Sequence, residues 1–162
     1  MISTKICMVP IIILACAALF IPIAEAQQPF DISYCASGTM TTISASEGLV
    51  VISLDSKGIA WSNHENKIFD NMTFHCAVVG KFVAGKPIGN GYCKYMDPDG
   101  DIVIWDLSID GAVDTYKALH GTGKYKGIKA EGKAILFTKA KPILPDMRQV
   151  CRKVTGTFEL AK

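Results

Sequence analysis

The sequence predicts an all-β protein, an antiparallel barrel of about eight strands with at most one short helical turn. Residues 153–160 alternate between apolar and polar side chains, which is the period of a strand with one buried face. Clusters of Gly, Pro and Asp interrupt such stretches at close intervals. No stretch after residue 26 shows a sustained apolar stripe at helical spacing, and residues 145–150 have room for one helical turn at most.

Ten stretches of the chain have the composition of strands. The clearest turn between them is Asp97-Pro98-Asp99-Gly100, because Pro fixes φ at about −65° and Gly accepts a positive φ. Consecutive antiparallel strands of this number form a barrel or a sandwich, and we favour the barrel because closure removes the edges of the first and last strands. The candidate strands are 30–37, 40–45, 49–54, 58–62, 73–82, 88–96, 101–109, 112–119, 133–138 and 153–160.

Residues 1–26 have the pattern of a cleaved signal peptide. An apolar run over residues 6–23 precedes Ala24-Glu25-Ala26, which matches the small-x-small pattern at which signal peptidase cuts. A retained membrane anchor and a lipoprotein acylated at Cys16 are the alternatives; two prolines interrupt the run, and apolar residues continue past Cys16. We therefore expect residues 27–162 to form a single barrel domain without a stable membrane span, exported to the periplasm or secreted.

Four cysteines remain after cleavage, and an even number in an oxidising compartment predicts two disulfides. Cys76 and Cys93 lie symmetrically about residues 84–85, so a hairpin centred there would bring their side chains together. Cys35 and Cys151 lie near the two ends of the mature chain, which a closed barrel makes neighbours. The alternative is four free, buried thiols.

Charge and composition exclude one class of partner. The chain has 17 Lys and Arg against 15 Asp and Glu, a net charge of +2, and its lysines are dispersed. A protein that binds nucleic acid usually concentrates positive charge in a patch or stripe. We therefore expect no nucleic acid partner.

Three motifs in the chain resemble cofactor or metal sites but lack residues or spacings that those sites require. The run Gly121-Thr122-Gly123-Lys124-Tyr125-Lys126-Gly127 has Lys where a dinucleotide fingerprint needs its third Gly, so we interpret its glycines as bends or close backbone contacts. Asp97, Asp99 and Asp101 begin like a calcium loop, but the required Gly and Glu do not follow. The three histidines share no metal-ligand spacing. We expect neither a cofactor nor a metal.

Aromatic side chains are the candidates for lining a cavity. A barrel of about eight strands is wide enough for one small ligand, and Trp61, Tyr95, Trp105 and Tyr125 fall on or near candidate strands. The alternative is that these rings only fill the core. Lys94 and Asp106 are the polar groups that we expect to project inward beside them.

A resemblance to a known family rests on two motifs. The order Tyr92-Cys93-x-Tyr95-x-Asp97-x-Asp99-Gly100-Asp101, followed by residues 120–128 with the sequence His-Gly-Thr-Gly-Lys-Tyr-Lys-Gly-Ile, resembles exported bacterial proteins related to the allene oxide cyclase and dirigent-like β-barrels. The resemblance covers residues 76–160. It implies an eight-stranded barrel, calycin-like or allene oxide cyclase-like, that is often oligomeric and whose cavity guides cyclisation or coupling of a hydrophobic substrate without a cofactor. The catalytic residues of the plant enzymes have no residue-by-residue match here.

Three functions follow. The first is an exported barrel that binds a small apolar ligand or a protein partner without catalysis, which is favoured because no catalytic constellation is visible. The second is a cofactor-free isomerase or cyclase that holds a flexible substrate in a reactive shape. The third is a structural or interaction module of the cell envelope, as a homo-oligomer or with a partner.

Overall fold

The computed structural model describes residues 27–161, which form a closed barrel of eight antiparallel strands. Each strand pairs with the next along the chain, and β1 also pairs with β8. The predicted fold class is therefore confirmed, while the proposed signal peptide and Lys162 lie outside the described residues. The strands are β1 (Gln28–Ser46), β2 (Leu49–Ser62), β3 (Met72–Val83), β4 (Lys86–Met96), β5 (Ile102–Asp110), β6 (Val113–Gly121), β7 (Lys129–Lys139) and β8 (Met147–Glu159).

The ten predicted stretches become eight strands because two pairs of them are continuous. Residues 30–37 and 40–45 join in β1, and residues 49–54 and 58–62 join in β2. Gly38 lies within β1 and pairs with Ser56 of β2. A Cβ atom on Gly38 would lie 2.5 Å from the backbone oxygen of Asp55, so glycine here permits close backbone approach and does not end the strand.

The helical turn is present, but at a different place from the one expected. It is a 3₁₀ turn at Gly123–Tyr125, whereas residues 147–150 of the predicted position belong to β8. The glycine-rich run supplies it: Gly123 has a φ of 49° and Gly127 a φ of 73°, a region that favours glycine. A Cβ atom on Gly121 would overlap the backbone of Tyr125, so the run packs tightly against itself, as the sequence predicted.

The barrel has two different ends. Loops 63–71, 97–101 and 122–128 lie at one end, called here the closed end; the short hairpin turns and loop 140–146 lie at the other, called the open end. At the closed end the fully buried Phe69 plugs the barrel from loop 63–71. Its ring packs edge-on against Phe30 and Trp105, at centroid distances of 5.2 and 5.4 Å, and stacks on Tyr125 at 5.7 Å. This half of the barrel is filled.

Two disulfides cross-link the barrel with the predicted pairing. Cys76 bonds to Cys93, and the two lie directly opposite each other on β3 and β4 with their side chains buried inside the barrel. Cys35 bonds to Cys151, joining β1 to β8 on the outer wall, where both residues are half-buried. Two disulfides are typical of an oxidising, extracytoplasmic environment.

Candidate ligand cavity

A cavity of about 80 Å³ lies inside the half of the barrel that faces the open end. The large rings of the closed end give way there to smaller inward residues such as Ala36, Gly38 and Gly80, so the side chains do not fill the space. One wall is apolar and comes from β2, β3 and β5: Ile52, Leu54, Val78, Leu107 and Ile109. The facing wall is polar and comes from β1, β6 and β8: Tyr34, Asp114, Tyr116, Arg148 and Arg152.

A buried ion pair organises the polar wall. The Asp114 Oδ2 and Arg152 Nη1 atoms are 3.0 Å apart, and the two residues are only 4% and 8% exposed. Nη1 forms no well-aligned hydrogen bond within the described residues, and neither does Asp114 Oδ1, although both atoms are buried. Buried charged groups are normally fully hydrogen-bonded, so this pair keeps unused capacity beside the cavity.

Burial changes the acidity of the groups on this wall. It raises the pKa of the Asp114 carboxyl above its ordinary value, although the guanidinium groups of Arg152 and Arg148 act in the opposite direction. Burial lowers the pKa of Arg148, and the neighbouring charge of Arg152 adds to that effect. The cavity is therefore an environment in which charge is poorly solvated.

Two tyrosines complete the polar wall. The hydroxyl groups of Tyr34 and Tyr116 are hydrogen-bonded to each other at 2.9 Å, and both side chains are buried. Burial raises the pKa of Tyr34 to about 12, and that of Tyr116 also lies well above its ordinary value. Both phenols are therefore neutral hydrogen-bonding groups at physiological pH.

A wider depression at the open end, with a volume of about 480 Å³, adjoins the cavity. Phe82, Pro87, Arg148 and Arg152 line both spaces, so the two arginines lie at their junction. Loop 140–146 contributes Pro142 and Pro145 to the outer depression, where apolar side chains such as Met40 and Leu136 surround the mouth. A ligand longer than the inner cavity would extend into this depression.

None of the four predicted ligand-binding aromatic residues lines the cavity. Tyr95, Trp105 and Tyr125 are buried in the filled part of the barrel, where Tyr95 stacks on Phe74 at 4.8 Å. Trp61 is 38% exposed on the outer wall. The structure thus places three of them in the core, and a ligand contact by any of the four stays a prediction.

The expectation that Lys94 and Asp106 project inward is wrong. Lys94 is exposed, because Cys93 and Tyr95 on either side of it take the inward positions of β4. Asp106 lies between the buried Trp105 and Leu107 on β5, so its side chain points to the outer wall. Successive side chains of a strand point to opposite faces of the sheet. A prediction that assigns the wrong face to one residue therefore places its neighbours on the wrong face as well.

The charged groups of the cavity went unnoticed in the sequence, although a signal for them existed. Arg152 has the same parity as the buried Val154 and Phe158, so extending the predicted last strand one residue backwards would have placed Arg152 on its apolar face. Asp114 has the same parity as Tyr116 on β6. A charge at an inward position of a strand is unusual and marks a functional candidate.

Within residues 27–161, no group of three or more His, Cys, Asp or Glu side chains is arranged to hold a metal ion. In the same part of the chain, no helix is long and apolar enough to cross a membrane.

Comparisons with known proteins identify the fold. No protein-family model matches this sequence, and no curated protein matches it in sequence. Two solved structures of pterocarpan synthase dirigent proteins, GePTS1 and PsPTS1, superpose on it with a TM-score of 0.52 each, at 8% sequence identity. The matches cover 85% of this chain and 93% and 97% of theirs. The chain therefore has a dirigent-like barrel fold, and a likeness at this identity shows the fold alone.

Proposed function

We propose that this protein binds a small, mostly apolar ligand in the cavity and the adjoining depression at the open end of the barrel, without catalysing a reaction on it. The observation that carries the proposal is a cavity with one apolar wall and one polar wall, on which two buried atoms, Asp114 Oδ1 and Arg152 Nη1, have no hydrogen-bond partner among the described residues. Protein interiors are otherwise close-packed, and both features lower stability unless a ligand or water contributes contacts. Small-molecule sites have this composition, apolar walls with a few convergent polar groups.

We propose also that binding takes place outside the cytoplasm, in the periplasm or after secretion. Support comes from the two disulfides and from the signal-like pattern of residues 1–26. The mature protein would begin at Gln27, which intact-mass spectrometry of the exported protein measures directly.

A second candidate function is that of a cofactor-free isomerase or cyclase. It is favoured by Asp114, a carboxyl group with a raised pKa beside a cavity, which is a common property of acid–base groups. The fold likeness to pterocarpan synthase dirigent proteins agrees with this candidate. The barrel would hold a flexible substrate in a reactive shape, and turnover of polyunsaturated epoxides or coupling of phenoxy radicals would distinguish it from simple binding.

Titration with the neutral fluorescent probe N-phenyl-1-naphthylamine tests ligand binding. We expect saturable fluorescence enhancement with the native protein and at least about a tenfold weaker affinity for Ile109→Trp, whose indole fills the cavity. Leu119→Trp is the matched control, because Leu119 is 53% exposed and lies outside the cavity lining. Near-ultraviolet circular dichroism verifies that both variants are folded.

Absence of saturable binding to the native protein would overturn the proposal and favour the third function, a structural or interaction module of the envelope. Equal binding by both variants would place the probe elsewhere on the molecule. Either result is independent of any enzymatic assay.

A further inference from the structure

The charges that line the cavity do not balance. Arg148, Arg152 and Lys81 are the cationic residues of the lining, and Asp114 is its one acidic residue. Lys81 is exposed to solvent and needs no compensation within the barrel, but the two guanidinium groups belong to the less exposed polar wall. Two cations and one anion leave an excess of about one positive charge in a poorly solvated space.

Asp114 neutralises only one of the two arginines. It contacts Arg152 at 3.0 Å, and no acidic side chain of residues 27–161 lies within ion-pair distance of Arg148. Burial disfavours the charged forms of both Asp114 and Arg148. A second anion placed between Arg148 and Arg152 would relieve the repulsion of these two cations and would use the Nη1 hydrogen-bonding capacity of Arg152.

The balance of charge also limits the kind of anion. Guanidinium groups form paired hydrogen bonds with carboxylates and phosphates alike, but a single negative charge is enough to cancel the excess of about one positive charge, and a carboxylate carries one. A phosphate dianion would instead leave an excess negative charge beside Asp114. The opposite wall is formed by Ile52, Leu54, Val78 and Leu107, so the rest of the ligand is apolar.

We propose that the ligand of this barrel is an amphipathic monocarboxylate, with its carboxylate held between Arg148 and Arg152 and its apolar body extending from the facing wall into the outer depression. This inference rests on the proposed function, because it assigns a chemical class to the ligand of that same cavity. Arg148 and Arg152 are the residues that discriminate the carboxylate from a neutral head group, and Asp114 orients Arg152 from the other side.

Displacement of N-phenyl-1-naphthylamine by decanoate and by 1-decanol tests the inference, because the two competitors share an alkyl chain and differ in charge. We expect decanoate to bind about 10- to 100-fold more tightly than decanol, the range that charge-assisted hydrogen bonds give. Arg148→Gln should weaken decanoate binding about tenfold and leave decanol binding unchanged. Lys117→Gln, which removes the same charge from the outer wall, should change neither.

Arg148 is the first position to substitute because Arg152 takes part in the buried ion pair, and its loss would leave Asp114 uncompensated. If Arg148→Gln does not fold, Arg148→Lys supplies the second variant, since it keeps the charge and loses the paired hydrogen bonds; it should weaken decanoate binding but not decanol binding.

The outcomes separate the two proposals. Equal affinities for decanoate and decanol, with probe binding intact, would overturn the carboxylate and leave the ligand site standing. No displaceable probe binding at all would overturn both. An equal loss of decanoate binding in Lys117→Gln would show that net charge, and not the cavity, attracts the acid.

Discussion

Asp97 shows how a single buried charge organises one end of the barrel. Its Oδ1 atom accepts hydrogen bonds from the backbone N–H groups of Asp99 and Asp101, each at 2.9 Å, and its Oδ2 atom lies 2.6 Å from the Lys124 Nζ atom. The backbone N–H of Lys124 donates a hydrogen bond to the Asp101 carboxylate at 3.0 Å. These contacts attach the predicted turn to the 3₁₀ turn, and together they form the floor of the closed end.

The pKa of Asp97 gives a pH prediction for Asp97→Asn. Burial raises this pKa, but the Lys124 ammonium and the backbone N–H groups outweigh burial, so the pKa lies below its ordinary value. A lowered pKa in the folded state stabilises the fold above the unfolded-state pKa, and this contribution is lost as pH falls through the folded-state pKa. We expect Asp97→Asn to lower the free energy of unfolding by about 2 kcal/mol at neutral pH.

Urea denaturation between pH 7 and pH 2 measures the free energy of unfolding of the native protein and of Asp97→Asn. The difference between the two should shrink as acid protonates Asp97. Asp99→Asn is the control, because its carboxylate is exposed and its one ion pair within residues 27–161 is with the same Lys124. It should cost less than about 1 kcal/mol. If Asp97→Asn lowers the free energy of unfolding by the same amount at every pH, an electrostatic role for this residue is contradicted.

At the scale of strands, the closed end depends on close contact between β7, β8 and β1. Gly132 of β7 pairs directly with Gly156 of β8, and the Phe30 ring of β1 lies over both. A Cβ atom would lie 2.8 Å from the Phe30 Cζ atom at Gly132 and 2.7 Å from it at Gly156. Two glycines that face each other therefore provide the space for a large ring, which in turn packs against Phe69.

Gly156→Ala should be strongly destabilising for this reason. Its methyl group would overlap the Glu131 backbone oxygen as well as the Phe30 ring, and backbone atoms cannot move aside cheaply. We expect a loss of about 3 kcal/mol in the free energy of unfolding, at the upper end for overpacking. Equilibrium denaturation measures the loss.

Gly80→Ala is the comparison, because the nearest atom to its added methyl group would be 3.1 Å away. It should be milder than Gly156→Ala. Equal losses in the two variants would indicate a general cost of replacing glycine in a strand, and the specific role of the Phe30 contact would then be wrong.

At the scale of the whole molecule, the two disulfides constrain different parts of the chain. The bond between Cys35 and Cys151 spans 116 residues and fastens the strands whose pairing closes the barrel, whereas the bond between Cys76 and Cys93 spans 17 residues within one hairpin. Cross-linking a longer loop removes more entropy from the unfolded chain. The disulfide on the outer wall therefore contributes more to global stability in this picture.

Location predicts the order in which the disulfides are reduced. Under a mild reductant in the native state, we expect Cys35 and Cys151 to be alkylated first, because they are half-buried on the outer wall while Cys76 and Cys93 are buried inside. Loss of the first bond should lower the free energy of unfolding by about 4 kcal/mol. Peptide mapping after differential alkylation reads the order, and earlier labelling of Cys76 and Cys93 would contradict it.

The sequence by itself determined the class of fold, the principal hairpin turn and the pairing of Cys76 with Cys93. These features depend on local rules: alternation along residues 153–160, the turn chemistry of Asp97-Pro98-Asp99-Gly100, and the symmetry of Cys76 and Cys93 about a hairpin. Each can be evaluated from neighbouring residues, because a strand repeats every two positions and a tight turn needs particular residues at particular places.

Only the tertiary structure decided which half of the barrel is filled and which holds a cavity. Phe69, from a loop with no strand signal, plugs one end, and Asp114 and Arg152, separated by 38 positions in the sequence, meet inside the other. The physical reason is that the inside of a barrel is shared by all eight strands, so the space left over depends on side chains from distant parts of the chain. A local sequence pattern therefore does not predict how much of the interior is left unfilled.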